Sequence, residues 1–103
     1  MKKMTLIAAI ATVLTGPAHA QKTISDVICE NNEALMGNVV LGYRARGIPV
    51  GSAENIFTSV QDINTRLFLT QVTREIYANP EAGREYLKSG QFRAACVKIH
   101  RGY

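Results

Sequence analysis

The chain has 103 residues, 12 Lys and Arg against 8 Asp and Glu, and a formal net charge of +4. A chain this short is expected to make one domain with one modest core and little room for a deeply walled substrate cavity. The excess of positive charge is too small to argue for nucleic acid as a partner.

The first twenty residues read as an export leader. Lys2 and Lys3 precede an apolar run from Met4 to Leu14, and Ala18-His19-Ala20 offers small residues where a signal peptidase reads. Cleavage is expected before Gln21. The run is about half the length a membrane span requires. Cys29, the nearest cysteine, lies well past the site, which argues against a lipoprotein. Residues 21–103 are then expected as a single helical domain in the periplasm, with no membrane span after cleavage. Its charge would be ten Lys and Arg against eight Asp and Glu, or +2, because the leader takes two lysines with it.

Outside the cytoplasm two cysteines, Cys29 and Cys96, allow one pairing. A bridge between them closes almost the whole domain and sets the first and last helices side by side, since bridged Cα atoms lie within about 7 Å. A metal site has only His100, four residues after Cys96, to support it. Neither a metal nor a cofactor is expected.

In chain order, Thr23 or Ser25 caps a first helix, with Asp26 in its first turn. Ile28, Leu35 and Val39 form one apolar stripe, and Cys29, Met36, Val40 and Tyr43 the adjacent one. Glu30, Asn31, Glu33 and Asn38 fall largely on the far side. Arg44 and Arg46 suit the helix end, and Gly47 supplies a left-handed stop before Ile48-Pro49. Ser52 is expected to cap a second helix carrying Ile56, Phe57, Val60, Ile63 and Leu67. Leu69, Val72 and Ile76 keep helical spacing but shift the stripe. The shift predicts a break between Gln61 and Asn64, with Asp62 or Asn64 capping a new helix, in preference to one helix from Ala53 to Ala78. Asn79 and Pro80 form a joint. A last helix is then expected to reach about Arg101, burying Tyr86, Leu87, Phe92, Cys96 and Ile99. Gly83 and Gly90 lie nearly on one face of it, either admitting a neighbouring backbone or breaking the helix near Ser89 and Gly90. The fold class is all-α: a small bundle of three or four helices closed by one disulfide.

Cys29, the run Arg44-Ala45-Arg46-Gly47-Ile48-Pro49, the run Ile76-Tyr77-Ala78-Asn79-Pro80, and Phe92 with Cys96 together resemble a group of small exported helical proteins. These occur in Gram-negative bacteria and in some of their phages and prophages, and most have no known function. The family often carries Gln where this chain has Ala45. The resemblance implies compartment, fold and disulfide more than activity.

Catalytic groups are scarce. Beyond the leader the one histidine is His100, near the chain end, where a cation favours a helix C-terminus. Glu30 with Glu33, and Glu81 with Glu85, each place two carboxylates on one helix face. No phosphate loop, serine elbow or metal-spaced cluster occurs. Arg44, Arg46, Arg93, Lys98 and Arg101 make one basic surface only if the ends of the first and last helices meet. Antiparallel helices would separate them. Tyr43 and Tyr77 sit at helix ends, where tyrosine packs or anchors an interface. The sequence therefore points to a non-enzymatic protein-binding module in the cell envelope: an inhibitor, an immunity protein or a phage superinfection-exclusion factor. Tyr43, Arg44, Arg46 and Tyr77 are its candidate interaction surface. The alternative is a stress or chaperone-like protein that binds unfolded clients. The sequence does not set the oligomeric state.

Overall fold

A computed structural model describes residues 23–101; the expected leader and cleavage site lie outside these residues. Every regular element among them is helical. There are five helices rather than three or four, because the chain stops twice where the sequence allowed it to continue.

Helix α1 comprises Ile24–Leu35, a wide π-helical turn Met36–Val40 and a last turn Leu41–Ala45, without interruption. Thr23 caps it. The Asp26 amide donates to the Thr23 hydroxyl and the Thr23 amide to the Asp26 carboxylate, a reciprocal arrangement that satisfies two free amides. Ser25 is thereby inside the helix. Gly47, at φ 77°, ends the helix in the left-handed region that a side chain disfavours. Helix α2 is short, Val50–Glu54 followed by a tighter turn Asn55–Phe57.

The expected cap at Ser52 is wrong. Pro49, extended at φ −59° and ψ 149°, occupies the cap position, and Ser52 lies in the first turn with its amide bonded to the Pro49 carbonyl at 3.0 Å. Proline fixes the entry geometry before any hydroxyl is needed. The break between the second and third helices is where the phase shift placed it. Helix α3, Ile63–Ala78, starts at Asp62, whose carboxylate accepts from both the amide and the hydroxyl of Thr65. The break also removes two residues from the expected core. Ile63 and Leu67 are 55% and 61% exposed, and the buried face of α3 is Thr65, Leu69, Val72, Thr73 and Ile76.

Helix α4, Pro80–Lys88, begins with the Asn79 side chain accepting from the Ala82 amide and Pro80 in the first turn. The expected single last helix is in fact two. Gly90, at φ 89°, stops α4, and α5 runs Gln91–His100. The two glycines act differently. A side-chain carbon on Gly83 would come within 2.7 Å of Ile76 Cγ1 and 3.3 Å of Ile76 Cα, so Gly83 lets α4 close on α3. Gly90 serves the turn alone, with open space around it. Ile99 is half-buried rather than a core residue.

The core joins Cys29, Met36 and Val40 of α1, Ala53 and Phe57 of α2, Leu69, Val72 and Ile76 of α3, and Phe92 and Cys96 of α5. Of the two α1 stripes, the one beginning at Cys29 is the deeper. Phe92 stacks on Phe68 at 5.4 Å between centroids and meets the edge of Tyr86 at 6.2 Å. Cys29 and Cys96 are bonded, with Cα atoms 5.8 Å apart and no exposed surface. Helices α1 and α5 are antiparallel: Ser25 meets His100, Cys29 meets Cys96, and Glu30 and Glu33 meet Arg93. The bridge is consistent with an oxidising compartment. Among the described residues no helix is long and apolar enough to cross a membrane.

Candidate functional site

Antiparallel packing puts the basic ends of α1 and α5 at opposite poles, so the five cations do not form one surface. Arg44 and Tyr77 do come together. Arg44 Nε donates to the Tyr77 carbonyl at 2.9 Å, and the Tyr77 hydroxyl donates to the Ile48 carbonyl at 2.6 Å. Burial pushes the Tyr77 hydroxyl above its ordinary range, opposed by the nearby Arg44 charge. These groups line a shallow hollow of about 510 Å³ with Gly47, Pro49 and Arg74. Tyr43 and Arg46 are not on its wall. They pair with each other, the guanidinium 5.5 Å from the ring centroid. The polar groups of Arg44 and Tyr77 thus join α1, the loop and α3.

His100 is not a free cation at a frayed end. It is half-buried, and its Nδ1 lies 2.8 Å from the Ser25 hydroxyl. His100 also lines a cavity of about 710 Å³ with Asn32, Val60, Asp62 and Thr65. Asp62 is held below the ordinary carboxylate range by the Thr65 hydroxyl, then the Thr65 amide, with a smaller contribution from His100. Serine, histidine and aspartate in one neighbourhood invite a nucleophilic reading. The geometry offers it little. Ser25 is buried and is not among the residues lining the cavity, and the Asp62 carboxylate accepts two hydrogen bonds from Thr65. Among the described residues no group of three or more His, Cys, Asp or Glu is arranged to hold a metal ion.

A concavity larger than either of these lies elsewhere, along the seam between α1 and the α4–α5 pair. One part, about 800 Å³, is lined by Asp26 and Glu33 of α1, by Leu87 to Gly90, and by Arg93, Ala94, Val97, Lys98 and Arg101. A second, about 530 Å³, adds Ala34, Gly37, Leu41 and Arg84 and shares Glu33, Leu87, Lys88 and Arg93 with the first. The two form one groove. Its floor is apolar or small: Ala34, Gly37, Leu41, Leu87, Ala94 and Val97. Arg93 crosses it, reaching Glu30 at 3.2 Å and making a shorter contact with Glu33. The bond to Glu33 holds the Arg93 guanidinium above its ordinary pKa. Glu30 and Glu33, expected largely on the solvent side, are instead half-buried beside α5. Among the described residues Arg84, Lys88 and Lys98 make no ion pair, and Arg101 donates to the Thr23 hydroxyl at 3.0 Å.

Sequence reasoning missed this groove. One signal for it was present: residues 91–101 hold Arg93, Lys98, His100 and Arg101 and no Asp or Glu. No protein-family model, curated protein or solved structure matches the chain.

Proposed function

We propose that the chain is an exported, non-enzymatic module that binds another protein of the cell envelope, in the class of inhibitors, immunity proteins and phage superinfection-exclusion factors. One observation carries this reading. A concave surface of about 800 Å³, continued by one of about 530 Å³, runs along the seam of two helices joined covalently by Cys29 and Cys96, with an apolar floor and charged rims. A surface fixed in this way loses little conformational freedom when a partner docks. An enzyme would instead need an acid, base or nucleophile facing a cavity in workable geometry. Export and the resemblance to small exported proteins set the compartment of the proposal.

The test is site-specific photo-crosslinking in cells that express the full chain. Probes at Ala34 and Ala94 on the groove floor, and at Tyr43 and Arg46 at the other pole, should give one adduct of defined mass from at least one site. Absence of a defined adduct from all four would reject the module reading.

Binding of unfolded clients is favoured by a separate observation. Ile24, Val27, Ile63 and Leu67 are large apolar residues between 44% and 77% exposed. If they serve clients, the protein slows aggregation of a denatured model protein, and Ile24→Ser with Leu67→Ser abolishes the effect.

A further inference from the structure

Resting on the protein-binding reading, we propose that the groove between α1 and the α4–α5 pair takes one amphipathic helix with an acidic face, supplied by the partner. Length is the first argument. The groove runs from Asp26 to Leu41 along α1, and those fifteen steps of about 1.5 Å span about 22 Å, four turns of a docked helix. Shape is the second. Ala34, Gly37, Gly90 and Ala94 line the groove with little or no side chain, and a side-chain carbon added to Gly37 would meet nothing within 4 Å. A helix backbone can approach closely there, with its apolar residues over Leu87, Val97 and Leu41.

Charge is the third argument and selects the occupant. Glu30 and Glu33 already hold Arg93, and Asp26 is engaged in the α1 cap. Among the described residues Arg84, Lys88 and Lys98 remain without an ion pair, and Arg101 reaches a neutral hydroxyl. Lys98 and Arg101 line the part beside the start of α1, Arg84 lines the part that includes Leu41, and Lys88 lines both. Carboxylates on one face of a docked helix would meet them in both parts. A uniformly charged polyanion fits less well, because it would leave Leu41, Leu87 and Val97 without an apolar partner. The same apolar residues argue against nucleic acid as the occupant.

The experiment titrates the oxidised protein with two fifteen-residue helical peptides, identical but for Glu or Lys on the polar face, and follows backbone amide shifts by NMR. The glutamate peptide is expected to shift residues lining the groove, and the lysine peptide to bind more weakly. Lys88→Glu with Lys98→Glu should weaken the glutamate peptide on the order of tenfold, since each reversed rim charge is worth roughly half of that factor in free energy. Gly37→Leu should block it, and Arg46→Glu at the other pole should leave it unchanged. The proposal is overturned if both peptides bind alike, if the double reversal has no effect, or if shifts map outside the groove. It is also overturned if single-stranded DNA or vesicles of anionic phospholipid bind the groove more tightly than the glutamate peptide. A defined crosslinked adduct from Tyr43 or Arg46 alone would remove the groove while leaving the protein-binding reading in place.

Discussion

The two ends of α1 meet the rest of the chain by different means. At its start, α5 is held by a covalent bridge, by Ser25 against His100, by Thr23 against Arg101 and by Arg93 against two glutamates. At its end, Gly47 turns the chain and the closure is polar. Arg44 reaches the Tyr77 carbonyl, Tyr77 reaches the Ile48 carbonyl, and Arg74 pairs with Glu54 at 2.6 Å. The first closure brings together residues 67 apart in sequence, the second residues 33 and 29 apart. Loop entropy rises with separation, so the longer closure gains most from a covalent tie. Side chains bonded to backbone carbonyls suffice for the shorter one, each contributing about 1 kcal/mol. The groove is built on the tied seam, and α2 follows the polar junction, anchored by Ala53 and Phe57 in the core.

The comparison can be broken from either side. Cys29→Ala with Cys96→Ala should cost about 4 kcal/mol by the loop-entropy account, measured by urea denaturation. A loss below 1 kcal/mol would show that the apolar core alone holds α5. Next comes Gly83→Val, whose added carbons collide with Ile76 at the contact between α3 and α4. It should cost about 2 kcal/mol. Gly90→Ala should cost about 1 kcal/mol, from backbone conformation alone. Equal losses at the two positions would deny that they do different work. At the polar junction, Tyr77→Phe leaves the Ile48 carbonyl without its donor and should cost about 1 kcal/mol, with the difference appearing first as faster amide exchange in α2.

The smallest effect concerns pH. The Asp62 carboxyl is depressed in the fold by its bonds to Thr65. Its contribution is therefore present above the unfolded value, near 3.8, and is lost as pH falls through the lower folded value. Asp62→Asn, which keeps a capping oxygen, should flatten the acid side of the stability curve between roughly pH 5 and pH 3. If wild type and variant lose melting temperature in parallel over that range, Asp62 is not the group responsible.

Much of the fold was legible because the signals are local. Thr23 with Asp26, Gly47, Asp62 and the Asn79-Pro80 joint each act within one turn of chain, Thr23 and Asp62 each being one of two caps the sequence offered at that start. The cysteine pair was legible from its count and from the compartment the sequence led one to expect. Ser52 misled because a hydroxyl in a first turn resembles a cap until the extended geometry of Pro49 is known. Gly83 and Gly90 were indistinguishable by periodicity, since only Ile76 across the helix interface tells them apart. Ile63 and Leu67 kept the spacing of a buried stripe and lost the burial, because the turn at residues 58–62 reoriented the helix that follows. The groove was least legible. It belongs to no single element, and its lining comes from α1, α4 and α5 together.

Native-state hydrogen exchange of the oxidised protein tests the central contrast most directly. The account predicts that amides of residues 29–40 and 92–97 exchange only through global unfolding, while those of residues 50–57 open at a lower free energy. With the bridge intact, exchange in α5 as fast as in α2 would contradict it.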